Sequence, residues 1–228
     1  MKTLVIIPSR LSATRLPGKP LLKINGTSMI SHVFKKAEEA NIGEVIVATE
    51  DQEIVDDVKK NGGQVILTKK QHKTGTDRIY EALQKFNNTD IDLIMNLQGD
   101  EPLMNIEDIR GLNNKMIKNQ SELGTLASEI KDKTIYENQN IVKAITKEKL
   151  DNFNFPEAMN FARKDLKDKK NIYHHLGIYC YQKETLKNFV SFNQSKNELK
   201  SKLEQLRALD NNIKINVALS KSSPIGVD

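Results

Sequence analysis

The first half of the chain alternates between short, unbroken apolar runs and longer amphipathic stretches. Residues 3–8 (Thr-Leu-Val-Ile-Ile-Pro) are continuous and β-branched, the pattern of a strand buried on both faces. Similar runs return at 44–49, 64–67 and 92–97. Between them apolar residues recur at helical spacing. Met29, Ile30, Val33 and Ala37 share one face of a helix predicted from Ser28 to Ala40. Further helices are predicted over 51–61, ended by Gly62-Gly63, over 76–86 with Thr76 as N-cap, and over 106–118. Such alternation predicts an α/β fold with a mixed, mainly parallel sheet and helices on both faces.

From about residue 123 the pattern loosens. Short strands are predicted at 125–130, 141–146, 175–181 and 213–218, with a helix over 199–209. Residues 147–172 are polar and weakly patterned. This half reads as a small second lobe. The expected organisation is one domain, 1–228, with halves 1–122 and 123–228.

Composition narrows the setting. No stretch approaches the roughly 18 apolar residues of a membrane span, so no membrane insertion is expected. Leu4 to Ile7 is too short for a signal-peptide core. Cys180 is the only cysteine and has no partner for an intramolecular disulfide, so a cytoplasmic location is expected. The formal net charge is +5, yet the cations are 29 lysines against 6 arginines, scattered among acids and asparagines. That is a solvated surface, and nucleic-acid binding is not expected. The scarce arginines say more: Arg10, Arg15, Arg78 and Arg163 fall in or near candidate site motifs.

Two loops that follow predicted strands carry the chemistry, and in parallel α/β sheets ligands bind at such strand ends. The first runs from Ser9 to Lys19 and places Arg10, Arg15 and Lys19 within ten residues. Guanidinium forks grip phosphate oxygens bidentately, lysine adds a point charge, and Gly18 lets backbone approach closely. The spacing is not that of a Walker A loop. The second loop is Gln98-Gly99-Asp100-Glu101-Pro102, where Asp100 is a candidate magnesium ligand and Gln98 a donor and acceptor for a sugar or base. Thr74-Gly75-Thr76-Asp77-Arg78 presents backbone groups and one arginine. His174-His175-Leu176-Gly177-Ile178-Tyr179 offers a histidine for a polyhydroxy substrate rather than a zinc site, since neighbours on a strand point to opposite faces.

Together the segments Ile6–Arg10, Thr14–Leu21, Ile46–Thr49, His72 with Thr74–Arg78, Asn96–Pro102, His175–Tyr179 and Leu203–Arg207 resemble the 3-deoxy-D-manno-octulosonate (Kdo) cytidylyltransferases, also called CMP-Kdo synthetases. The first segments are shared more loosely with other sugar nucleotidyltransferases. His-Leu-Gly-Ile-Tyr and Leu-Glu-Gln-Leu-Arg narrow the likeness to the Kdo enzymes.

The resemblance implies a Rossmann-like nucleotidyltransferase fold with a nucleotide-binding half and a sugar-binding, dimerising half. It implies a homodimer that uses Mg2+ to convert CTP and Kdo into CMP-Kdo and pyrophosphate, activating Kdo for lipopolysaccharide synthesis. Alternatives are a related sugar acid such as 8-amino-Kdo, or an inactive sugar- or nucleotide-binding homologue. By the same resemblance Ser9, Arg10, Arg15, Lys19, Thr74, Gly75 and Gln98 bind CTP. Asp100 and Asp228 hold the metal, and Lys19, Asp100, Asp228 and Arg15 are the catalytic set. Arg78, Gln98, Arg163, His175, Tyr179, Glu204 and Gln205 form the Kdo pocket. Two departures stand out. The family pattern continues past Gly226-Val227-Asp228 with Thr-Pro and a final helix, whereas this sequence stops at Asp228. Phe161-Ala162-Arg163 stands where the family has a Ser-Arg pair, and the loop after it is rich in lysine.

Overall fold

A computed structural model describes residues 1–12, 16–69, 72–88, 90–164, 166 and 170–222. By its internal contacts the chain divides into two compact units, Met1–Arg110 and residues 111–222.

The first unit is built on β1 (Thr3–Ser9). Leu4, Val5, Ile6 and Ile7 are fully buried, each contributing about 1.5–3 kcal/mol. A hairpin of β2 (Lys23–Ile24) and β3 (Thr27–Ser28) leads into α1 (Met29–Ala40). Ser28 caps α1, its hydroxyl accepting from Ser31 N–H. Then follow β4 (Gly43–Thr49), α2 (Gln52–Lys60), β5 (Val65–Leu67), α3 (Gly75–Lys85), β6 (Leu93–Asn96) and α4 (Ile106–Asn119), within which the division between the units falls. The strands run in the order β6-β1-β4-β5, every pair parallel. α1 packs on β4, α3 on β1 and α2 on β5.

Within the second unit lie β7 (Leu123–Ser128), α5 (Lys133–Glu137), β8 (Lys143–Thr146), β9 (Ala158–Ala162), β10 (Ile172–Gln182), α6 (Lys183–Ser191), α7 (Lys196–Ser201), α8 (Leu206–Asp210) and β11 (Ile215–Leu219). β11 pairs with β7 in parallel; β7–β10, β10–β8 and β8–β9 are antiparallel. The strand pairing is therefore mixed and mainly parallel, an α/β fold. Among the described residues no helix is long and apolar enough to cross a membrane.

Several elements differ from expectation. Thr74, not Thr76, caps α3: its hydroxyl accepts from Asp77 N–H while the Asp77 carboxylate accepts from Thr74 N–H. This reciprocal box satisfies two donors at once, and Thr76 is buried inside the first turn. The helix expected over 199–209 is two short helices. Lys202 adopts a left-handed conformation that ends α7, and α8 starts only at Leu206. The weakly patterned 147–172 contains β9, and α5 and α6 were not foreseen. β9 lacks apolar alternation because Met159 and Asn160, side by side, are both exposed.

Candidate active site

Parallel pairing lines up the ends of the first unit's strands. Ser9 of β1 lies opposite Thr49 of β4, and Ile6 opposite Asn96 of β6. The loops after β1 and β6 thus leave the sheet at the same edge. They approach so closely that a Cβ on Gly99 would lie 3.2 Å from the carbonyl oxygen of Pro8 and 3.3 Å from Ile30. Gly18, with φ +72°, sits in the left-handed region that glycine enters without strain, and its N–H donates to Leu11 O at 3.1 Å. A single 3-10 turn, Lys19–Leu21, follows and buries most of Lys19.

These loops and the start of α3 enclose a cleft of about 370 Å³, lined among others by Ser9, Arg10, Lys19, Thr74, Gln98 and Asp100. Lys19 Nζ is 3.1 Å from Asp100 Oδ2. Gln98 donates to Asn96 Oδ1 at 3.3 Å. Ser9 Oγ is buried and has no hydrogen-bond partner among the described residues. Gly75 lines the cleft at the first turn of the 11-residue α3. Its end of the helix therefore turns free backbone N–H groups and a partial positive charge toward the cavity.

Two further cleft residues are held from behind. Arg78 is almost fully buried, donating to Glu50 Oε2 and Thr68 Oγ1, both at 2.5 Å, and to Lys69 O at 3.4 Å. His72 Nε2 lies 2.5 Å from Glu81 Oε2. Burial works against ionisation of Glu81, but bonds from Lys85, the Lys69 N–H and His72 outweigh it and bring its pKa down to about 2. Arg15, one of the three loop cations, and Asp228, one of the two expected metal carboxylates, lie outside the described residues. Among the described residues no group of three or more His, Cys, Asp or Glu side chains could hold a metal.

The remaining site residues belong to the second unit. His175 on β10 is buried, its Nε2 3.0 Å from Thr125 Oγ1 on β7. Thr125 directs its single proton at Ile178 O, 2.7 Å away, so it accepts from Nε2–H and leaves Nδ1 of the imidazole as an acceptor. Burial, with His174 beside it, pushes the His175 pKa down to about 3, which keeps the ring neutral near pH 7. A break in register between Leu176 and Tyr179 loosens β10 from β7 there. The rings of His175 and Tyr179 stand 5.5 Å apart, and Phe161 meets His175 edge-on at 4.9 Å. Arg163 follows β9 and donates to Asn140 O. The fully buried Lys143 bonds Asn138 O at 2.6 Å and Arg163 O at 3.3 Å. Glu204 and Gln205 occupy the turn between α7 and α8.

That turn is set by a pair of residues outside the expected site. Arg207 and Glu198 form a buried, bidentate ion pair at 2.9 and 2.6 Å. The Arg207 guanidinium also stacks 4.6 Å from the Phe189 ring.

Residues 4–215 match the sequence profile of a family described as cytidylyltransferase. The chain belongs to the cytidylyltransferase family. It is 42% identical over 228 residues to a 3-deoxy-manno-octulosonate cytidylyltransferase of Rhodopseudomonas palustris (strain BisB5), covering 99% of this chain and 92% of that one. It is 40% identical over 233 residues to the enzyme of the same name from Nitrobacter winogradskyi, covering 100% and 89%. A solved CMP:2-keto-3-deoxy-manno-octonic acid synthetase complexed with CTP superposes with a TM-score of 0.90 at 33% identity, over 100% of this chain and 93% of that one. The chain is thus a nucleotidyltransferase in fold and family.

In this cytidylyltransferase the structure gathers Ser9, Arg10, Lys19, Thr74, Gly75, Arg78, Gln98 and Asp100 around one cleft of the first unit. His175 and Tyr179 are neighbours in the second unit, while Arg163, Glu204 and Gln205 stand on other elements of it. Sequence reasoning missed the supporting partners Glu50, Glu81, Thr125, Lys143 and Glu198. A carboxylate or lysine in a predicted loop or helix carries no local mark of the side chain it meets across the fold. The one available signal was Glu50-Asp51, two carboxylates at the end of a predicted strand.

Proposed function

We propose that this chain transfers CMP from CTP to Kdo, giving CMP-Kdo and pyrophosphate. The observation that carries the reading is the meeting of the cationic loop, Gln98-Gly99-Asp100 and the α3 N-terminus in one cleft. The relatives named for this activity support it, as does the CTP in the similar synthetase. In the reaction the 2-hydroxyl of Kdo attacks the α-phosphorus in line. The hydroxyl proton passes to water as one P–O bond forms to the sugar; the bond from the α-phosphorus to the bridging oxygen breaks, and pyrophosphate leaves with its electron pair.

Little covalent work falls to the protein; positioning and charge neutralisation lower the barrier. Arg10 and Lys19 neutralise the triphosphate, with Arg15 as a further cation. Backbone N–H groups at Gly75 and the Ser9 hydroxyl give directed bonds to the nucleotide. Gln98 orients nucleotide against sugar. Neutral His175 with Tyr179, Arg163, Glu204 and Gln205 receives the sugar acid.

Asp100 suits Mg2+, which takes carboxylate oxygens together with substrate phosphates and retains water. Asp100, with Asp228, would hold the ion. When bound, Mg2+ offsets phosphate charge and acidifies a coordinated hydroxyl. The reading also carries a homodimer and a cytoplasmic location.

A pyrophosphate-release assay with CTP, Kdo and Mg2+ tests it. Release that needs all three is expected. No release with any sugar acid or nucleoside triphosphate, nucleotide binding being intact, overturns the enzymatic reading. Release only with an amino sugar acid replaces Kdo as the acceptor.

A further inference from the structure

Aspartate ranks among the best helix N-caps, because its carboxylate accepts from an N–H in the first turn. Asp51 stands at the N-cap of α2 with the extended backbone of a cap, φ −101° and ψ 122°, yet its side chain makes no capping bond. Its Oδ2 accepts instead from the backbone N–H of Leu11 at 2.7 Å, 40 residues away in sequence. A local preference has been given up for a distant contact, and such departures concentrate at functional sites.

The recipient is the base of the cationic loop. Leu11 follows Arg10, and its carbonyl accepts from Gly18 N–H at 3.1 Å, so Leu11 and Gly18 are joined directly. Lys19 comes next and turns its ammonium into the cleft. The anchor is itself fixed: Asp51 N–H donates to Oγ1 of the fully buried Thr49, the last residue of β4. A continuous line of bonds therefore runs from the sheet through Asp51 and Leu11 to Gly18.

We propose that Asp51 is a positioning residue for the triphosphate, holding the backbone next to Arg10 and Lys19 in its binding conformation. It touches no substrate and acts through Leu11. The bond is charge-assisted and so among the stronger single hydrogen bonds. Without it the loop spends part of its time out of position, and CTP affinity falls by that fraction.

This rests on the reading of the cleft as the CTP site, and the experiment separates the two. Three variants of the full chain are compared with wild type: Asp51→Ala, Asp51→Asn and Asp51→Ser. Asp51→Ala is expected to raise the CTP KM about tenfold while the sugar-acid KM stays within about twofold. Asp51→Asn recovers most of the loss, since its amide oxygen still accepts. Asp51→Ser carries a hydroxyl that caps α2, so its Tm equals or exceeds that of wild type while its CTP KM rises as in Asp51→Ala. Wild-type CTP KM in the Ala and Ser variants overturns the proposal. So does a parallel rise of both KM values with a lowered Tm, the mark of a purely structural role. If wild type itself fails with CTP, the functional reading falls, and the anchor is judged by hydrogen exchange without substrate. Faster exchange at the Leu11 amide in the Ala and Ser variants supports it; unchanged exchange overturns it.

Discussion

In residues 1–110 the chemistry-bearing side chains stand on loops at the ends of parallel strands, around a cleft. In residues 111–222 they stand on strands and a turn, where His175 bonds Thr125 and Arg163 bonds Asn140 O within the same unit. Lys19 and Asp100 pair across the cleft, with about half of the Asp100 side chain exposed. Arg207 and Glu198 pair with almost none of either side chain exposed. The first pair is poised to exchange partners for a ligand. The second fixes the shape of the segment that presents Glu204 and Gln205. The Lys19–Asp100 pair keeps charge available, whereas the Arg207–Glu198 pair uses buried charge to hold neighbouring groups in place.

Asp100→Asn should break this contrast most severely if it is wrong. We expect a fall in kcat of at least about 100-fold with little change in unfolding free energy. Steady-state pyrophosphate release and denaturant unfolding measure both, and near-wild-type kcat would overturn the proposed metal role of Asp100.

Arg207→Leu should do the opposite. It leaves Glu198 buried without its partner, a loss of about 3–5 kcal/mol in denaturant unfolding. Glu198→Leu combined with Arg207→Leu should recover part of that loss. If Arg207→Leu costs nothing, the buried network is not what holds the turn.

Acid sharpens the comparison. An unfolded histidine titrates near 6.5, whereas folded His175 is held down to about 3. Between these values the unfolded chain binds the extra proton, so stability falls as pH drops. The contribution is complete above about pH 6.5. Glu81 in the first unit, lowered from 4.5 to about 2, acts only at lower pH. His175 should therefore contribute a loss of about 2 kcal/mol between pH 6.5 and 5. His174, also lowered by burial and by Lys143, adds to it. His175→Phe should flatten this slope in pH-dependent melting, and Glu81→Gln should not.

The smallest effect is expected at Thr74→Ala. It removes one half of the α3 capping box and should cost about 1 kcal/mol of stability. Because the same turn faces the cleft, a modest rise in CTP KM should accompany it.

How legible each region was follows from the same difference. In the first unit, strands β1, β4 and β6 and helices α1, α2 and α4 match the predicted runs to within a residue or so at each end. Buried parallel strands are uniformly apolar and their helices amphipathic, so each pattern is contained in the segment itself. The cap of α3 was misplaced by two residues, because the deciding bond depends on how Asp77 folds back. In the second unit β9 and α6 escaped notice and α7–α8 looked like one helix. There the left-handed Lys202 interrupts a segment whose apolar spacing continues past it.

The family, the strand–helix rhythm of the first unit and the residue types on its two loaded loops are legible in the amino-acid order alone, because those features are local and ordered along the chain. Tertiary structure decided what each group has for company: Asp51 with Leu11, Arg78 with Glu50, His175 with Thr125, Glu198 with Arg207. Such contacts join residues up to fifty positions apart, and hydrogen bonding and desolvation act through space. A sequence names the groups that can bond; only the fold brings a particular donor to a particular acceptor and removes the water between them.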